Sequence, residues 1–394
     1  MSQELLAKEL QEAYPVDVRL FRELATWETL MPVHLLRAAL LPEAEALQAY
    51  MAYTGSIDFD DPIQRQLLPQ LHANIGHLLP AEMAVKLKQL RISTLMANRL
   101  LRTEMETVAK NFGNKGLPLL VFKGAAMTTL SYADAGCRPM SDLDLLVKEA
   151  HFDRACSLLE EAGWNVRNFG VDQPVFQMQI HHARAYFHPQ QKVHLDLHVH
   201  INHRACGVGV DEEYWSRAKE LSLGSALLRL CNTDNLLQVC VHGTGQNDTP
   251  PIRWAMDAYL TMTRPQEGID WDLLLAIAQR RFFSPELLLT LTWLQKNLQA
   301  PVPDRVLSEL TGHSVCKHNL NIWRYSLRTN RRALRAPEIV HYHWHKLWLA
   351  SRGLTWMGKL KFIPKYLKDS QHTNSYKVFA LVVAKKLRHK WYLK

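Results

Sequence analysis

A ten-residue run, Lys192-Val193-His194-Leu195-Asp196-Leu197-His198-Val199-His200-Ile201, alternates polar and apolar side chains without a break. Successive side chains of a β-strand project to opposite faces, so this period of two buries Val193, Leu195, Leu197, Val199 and Ile201 together only if the segment is a strand with a core on one side. His194, Asp196, His198 and His200 then share the other face. The chain must therefore build a sheet that presents a carboxylate among imidazoles.

A second strand-like run, Cys137-Arg138-Pro139-Met140-Ser141-Asp142-Leu143-Asp144-Leu145-Leu146-Val147, sets two carboxylates two residues apart in apolar surroundings. On a strand Asp142 and Asp144 share a face, roughly 7 Å apart. Two anions so placed repel unless a cation lies between them, and hard divalent ions such as magnesium bridge carboxylate oxygens to substrate phosphates. Asp196 is a third carboxylate able to join them. Solvation of an edge strand is the plain alternative for the pair.

Upstream, Leu117-Pro118-Leu119-Leu120-Val121-Phe122-Lys123-Gly124-Ala125-Ala126 has the composition of a buried strand feeding a turn and a helix. Gly124 permits close approach to a phosphate, the following N–H groups can receive its charge, and Lys123 adds a cation. An ordinary strand-to-helix turn would look the same if no aspartate pair followed. Residues His151 to Gly163 carry a helical pattern, with Phe152, Ala155, Leu158, Leu159 and Ala162 on one side and Gly163 as its stop.

The order FKGAAMTTLSYADAGCRPMSDLDLLV, a helix, then VHLDLHVHIN resembles bacterial nucleotidyltransferase-family proteins of the DNA polymerase beta-like superfamily. Further on, LLQVCVHG, IRWAMDAYLTM and IDWDLLLAIAQRR are similar to the helical region after that family's core, so the resemblance spans about residues 85–310. It implies an α+β fold: a small mixed β-sheet with flanking helices, set between N-terminal and C-terminal helical regions. Carried over by position, it implies that Asp142, Asp144 and Asp196 hold two Mg2+ ions for transfer of a nucleoside monophosphate from an NTP to an acceptor, with release of pyrophosphate. Asp196 would take part in activating the acceptor. Lys123, Gly124, Arg138 and Ser141 would bind the nucleotide, Arg138 through its planar fork. A salt bridge is the alternative use of that fork. The superfamily turn is usually Gly-Ser or Gly-Gly, whereas this chain has Gly124-Ala125, separated from Asp142 by sixteen residues.

Two other readings use the same residues. The altered turn fits a catalytically degenerate nucleotide-binding or scaffold protein. His194, His198 and His200 beside Asp196 fit a zinc or iron hydrolase, although that leaves Asp142 and Asp144 without a role. His198 is the histidine expected to support the metal site or the acceptor, while His181, His182 and His188 read as loop and strand-end residues.

With 394 residues and 47% apolar content, the chain can bury a large core divided into subdomains. The expected organisation is a helical region over 1–112, a catalytic core over 113–215, a helical domain over 216–316 and a basic, Trp-rich tail over 317–394. The apolar recurrence over Ala81 to Phe112 predicts a long helix whose core face includes Val85, Leu87, Leu90, Leu95, Met96 and Leu100. The helical domain is expected to line the acceptor side of the cleft with the polar residues His242, Arg253 and Asp257, of which the last two, four residues apart, predict an intrahelical ion pair. Six cysteines without a C-x-x-C pair indicate reduced thiols. An N-terminus that carries acids early, and apolar runs far shorter than the ~20 residues of a spanning helix, point to a cytoplasmic protein.

Charge is unevenly spread. Residues 317–394 hold eighteen Lys and Arg against two acids, so their +16 leaves −7 for the rest of a chain whose net charge is +9. Trp323, Trp344, Trp348, Trp356 and Trp391 are interleaved with these cations. The tail is expected to meet an anionic membrane surface or nucleic acid, which would place the protein at the inner face of the membrane. A solvated helical face is the plain alternative.

Overall fold

The computed structural model describes residues 32–167, 178, 180–221, 227–244, 252–264, 267–314, 316–326 and 336–369. The helical expectation for residues 1–31, parts of the expected breaks after Gly243 and at Pro265, and the basic residues after 369 lie outside the described residues.

Four helices precede the sheet: α1 (Val33–Leu40), α2 (Glu43–Ala52), α3 (Gln64–Ile75) and α4 (Ala81–Gly113). The central section runs β1 (Leu119–Val121), α5 (Lys123–Leu130), β2 (Leu143–Leu146), α6 (Phe152–Glu161), β3 (Asn165–Val166), β4 (Ala183–His188), β5 (Val193–His198), α7 (Glu212–Arg217), β6 (Lys219–Glu220) and β7 (Leu227–Arg229). Helices α8 (Asn232–Gly243), α9 (Arg253–Thr263), α10 (Trp271–Arg280), α11 (Ser284–Leu298), α12 (Asp304–Ser314), α13 (Lys317–Ser326), α14 (Ala336–Ala350) and α15 (Trp356–Asp369) follow. The fold is α+β, with helices on a mixed sheet.

The strands lie in the order β3-β4-β5-β2-β1-β7-β6. β2 runs parallel to β5 and antiparallel to β1, and β1 runs parallel to β7. Alternation within β5 matches its burial: Val193, Leu195 and Leu197 are buried, while His194 and Asp196 are partly open. One sheet face, with Leu143, Leu145, Leu195 and Leu197, packs against the second half of α4 and against Phe152, Ala155 and Leu159 of α6. Leu120, Phe122 and Leu146 belong instead to the core shared with α8, α9, α11 and α12. Because side chains alternate along β2, Asp144 looks toward that helical layer, with Leu146.

Helix α4 forms as expected, but its core face differs. Val85, Met96 and Leu100 are exposed, and the buried line runs through Leu87, Thr94, Asn98, Leu101, Met105, Val108 and Phe112. That line keeps helical spacing throughout, but two of its members are polar. Asn98 is buried because its amide donates to the carbonyls of Ala135 and Arg138, at 2.5 and 2.7 Å, and so pins the loop leading into β2. All six cysteines are free thiols, five of them buried. Among the described residues no helix is long and apolar enough to cross a membrane.

Candidate active site

β2 and β5 pair in parallel with Asp144 opposite Asp196. Their carboxylates share one face, and His198 follows on the same face of β5. Ligand atoms of Asp144, Asp196 and His198 all lie within 4.8 Å of one another, so these three side chains could hold a metal ion. His198 Nδ1 lies 3.2 Å from the carbonyl of His200 and Nε2 lies 2.9 Å from Asp144 Oδ1. With Nε2–H donated to Asp144 the ring supports that carboxylate's charge; moving the proton to Nδ1, donated to the His200 carbonyl, would free an Nε2 lone pair facing the carboxylates, the tautomer that a metal-binding histidine needs. The donor set thus fits a divalent cation.

Lys123 supplies the nearest positive charge. Its Nζ donates to Asp144 Oδ1 at 2.6 Å. Burial by itself would raise the Asp144 carboxyl, but Lys123 and His198 outweigh it and hold the group well below the ordinary carboxylate range. Asp196 behaves oppositely: burial raises its pKa, and Asp144 and Asp142 add to the rise against the pull of His198. Two adjacent carboxylates thus have their affinities for a proton pushed apart. Asp142 lines the same cavity at the more open end of β2, where Ser141 donates to it at 3.0 Å, outside the three-residue ligand group.

The turn before α5 is built for close contact. Lys123 takes a left-handed backbone, φ 51°, which turns the chain sharply from β1 into the helix. Gly124 follows with no room for a side chain, since a Cβ there would come to 2.6 Å from Arg138 Nη1 and 3.0 Å from Met140 Sδ. Arg138 itself is buried. Its Nε and Nη2 donate to the two oxygens of Asp257 at 2.8 and 2.7 Å, and Tyr132 Oη donates to the same carboxylate at 2.7 Å. The fork of Arg138 is therefore used for a salt bridge on two of its nitrogens, leaving Nη1 beside Gly124. Burial would lower the Arg138 pKa, but Asp257 reverses this and raises it.

The expected Arg253–Asp257 pair within α9 does not form. Asp257 is held by Arg138 and Tyr132, and Arg253 Nη1 instead reaches the carbonyl of Pro139 at 3.3 Å. Sequence spacing finds neighbours on one helix but cannot see a stronger partner arriving from another element. Burial and the nearby Arg138 lower the pKa of Arg253, marking a cation short of compensation beside the cavity.

A cavity of about 310 Å3 joins these groups. Lys123, Gly124, Arg138, Ser141, Asp142, Asp144, Asp196 and His198, the residues singled out in the sequence, all line it. His242, Arg253 and Asp257 of the helical layer line it as well, on the side expected for the acceptor, and His182 from the loop before β4 and Trp254 join them without a signal in the sequence. His182 packs edge-on to His198, with ring centroids 5.4 Å apart, and burial followed by its histidine neighbours keeps its pKa well down. Of the three alternating histidines only His198 reaches the cavity. His194 packs on Phe187, and His200, beyond the end of β5, is tied to Asp211 at 3.0 Å and to the Met178 carbonyl at 2.7 Å. The imidazole-rich face read from the sequence therefore does not converge on one point.

The family model described as uncharacterised nucleotidyltransferase matches residues 63–299. No curated protein matches the chain. The matched stretch contains every cavity-lining residue named above.

Proposed function

Since the chain belongs to the uncharacterised nucleotidyltransferase family, we propose that it transfers a nucleoside monophosphate from an NTP to an acceptor hydroxyl or phosphate and releases pyrophosphate. The in-register pairing of Asp144 with Asp196, with His198 beside them in a cavity, supports this reading above all. Asp144, Asp196 and Asp142 would hold two Mg2+ ions, which supply Lewis-acid polarisation of the α-phosphate and a lowered pKa for the acceptor hydroxyl.

The chain's own groups divide the remaining work. Asp144, kept ionised by Lys123 and His198, serves as the fixed anion of the site. Asp196, in register with Asp144 across the β2–β5 pairing, takes part in activating the acceptor by receiving its proton. Lys123, the backbone N–H groups that open α5, Nη1 of Arg138, and Ser141 bind the triphosphate, because phosphate oxygens are recognised by helix N-termini and by cations. Arg253 adds a desolvated guanidinium on the facing helix. On this reading the reaction runs in the cytoplasm, with residues 113–215 as its catalytic core and the helices that follow closing the cavity.

Incubating the full-length protein with α-labelled NTPs, Mg2+ and cell extract tests the reading. Label should move to an acceptor with release of pyrophosphate, and Asp144→Asn should abolish both while the variant still unfolds cooperatively, at a lowered melting temperature because Lys123 loses its buried partner; full turnover by that variant would rule the reaction out.

Two observations keep other readings measurable. Ala125 offers no hydroxyl at the turn, which favours a nucleotide-binding scaffold; triphosphate binding by calorimetry with no pyrophosphate release over a broad acceptor screen would identify it. The imidazole in the ligand group favours a softer metal and hydrolysis, which zinc or iron co-purifying at full occupancy would reveal.

A further inference from the structure

Helices α14 and α15 lie beyond the family match, and each leaves one apolar stripe uncovered. On α14 the packed side carries Tyr342, His345 and Leu349, while Val340, Trp344 and Trp348, spaced four residues apart, face solvent, Val340 at 61% and Trp344 at 65% exposure. On α15 Tyr366 is fully buried, and Trp356, Met357, Leu360 and Leu367 project from another side, with Trp356 at 71% exposure. Spacing of one, four and eleven residues from Trp356 puts these four on a single arc of the helix. The two helices are tied by His343 Nδ1 and Tyr366 Oη at 3.1 Å.

Charge accompanies the stripes. Between residues 339 and 367 the sequence holds five Lys and Arg and no acid, and Arg352, Lys359, Lys361 and Lys365 are exposed. Arg352 lies 4.5 Å over the Trp348 ring. Lys361 and Lys365 follow directly on the apolar arc of α15. Large uncovered apolar side chains bordered by cations and free of acids match a surface that is both hydrocarbon and anionic.

We propose that α14 and α15 form a docking surface for an anionic lipid bilayer, with Trp344, Trp348, Trp356, Met357 and Leu360 at the headgroup–acyl boundary and the lysines on the phosphates. The aliphatic residues select lipid over nucleic acid. A single-stranded polynucleotide rewards aromatic stacking and cations, but it offers nothing to Val340, Met357, Leu360 or Leu367, which gain only from transfer into hydrocarbon.

Flotation of the full-length protein with vesicles tests this. It should float with phosphatidylcholine vesicles containing about a third phosphatidylglycerol, and not with phosphatidylcholine alone. Trp356→Ser with Leu360→Ser should weaken that binding by about ten-fold or more, because two apolar anchors are lost. Lys361→Glu with Lys365→Glu should do the same, since each lysine near an anionic surface is worth about five-fold. Unchanged melting temperatures would show that both variants fold. Undiminished vesicle binding by both variants would overturn the proposal, as would wild-type protein that ignores anionic vesicles and binds single-stranded RNA instead.

Discussion

Arg138 and Asp257, which stand 119 residues apart in sequence, meet through two parallel hydrogen bonds in the buried space between the sheet and helix α9. The pair connects the loop that leads into Asp142 and Asp144 with the layer that carries Arg253. Removing one partner of a buried ion pair leaves the other charge uncompensated, at a cost of about 3–5 kcal/mol. Arg138→Ala should lower unfolding stability by that order in a urea titration. A loss below about 1 kcal/mol would show the pair to be dispensable.

Asp144→Asn and Asp196→Asn should each reduce divalent-dependent pyrophosphate release by at least about a hundred-fold, because each removes a hard anionic ligand from the group that could hold a metal. Calorimetric titration with Mn2+ provides a readout independent of turnover. Asp142→Asn should weaken metal binding less, since Asp142 stands outside the three-residue cluster. Equal effects at all three positions would contradict that ranking.

Arg253→Ala should raise the KM for NTP by about ten-fold with little change in melting temperature. Its guanidinium has one long bond to a carbonyl to lose, and about 1.4 kcal/mol of phosphate binding corresponds to that factor. Steady-state kinetics at varied NTP decide it.

Gly124→Ala adds a methyl group against Arg138 Nη1 and Met140 Sδ. A free arginine would swing away, but this one is fixed by Asp257, so the backbone must yield. Overpacking of this kind costs about 1–3 kcal/mol, which differential scanning calorimetry should register together with weakened NTP binding.

His345 is nearly inaccessible on the packed side of α14, and burial, then Arg204, His318 and other cations, push its pKa down to about 3. The unfolded chain takes up a proton near pH 6.5 that the folded chain refuses, so stability must fall as the pH drops below that value. Between pH 7.5 and pH 5 the expected loss from this residue is about 2 kcal/mol. His345→Phe should flatten that part of the stability profile measured by urea unfolding at each pH.

Much of the site could be read in the sequence because it lies on strands. Strict alternation in 193–198 puts Asp196 and His198 on one face whatever else the chain does, and the Asp-x-Asp spacing does the same for Asp142 and Asp144. The meeting of Asp144 with Asp196 needed β2 and β5 to be adjacent and parallel, with β4 antiparallel beyond them, and no local pattern encodes that order. Helix α4 shows the opposite failure. Thr94 and Asn98 sit on its buried line, so an apolar count follows the exposed Val85, Met96 and Leu100 instead. Asn98 was findable only by asking which side chain could satisfy the carbonyls of Ala135 and Arg138.

Gly207, in the loop that follows β5, lies directly beneath the Leu349 carbonyl of α14, with no space for any side chain between them. The same loop gives its Gly207 N–H to His200 at 3.3 Å, and Lys346 of α14 donates to the Ile180 carbonyl at 3.4 Å, two residues before His182. The segment outside the family match is thus keyed into the loop that follows β5 and into the stretch that leads to His182, not an appendage hung beside the sheet. Shortening the chain after residue 316 would uncover this loop and the approach to His182, so the duties of these last helices are best separated from those of the site one side chain at a time.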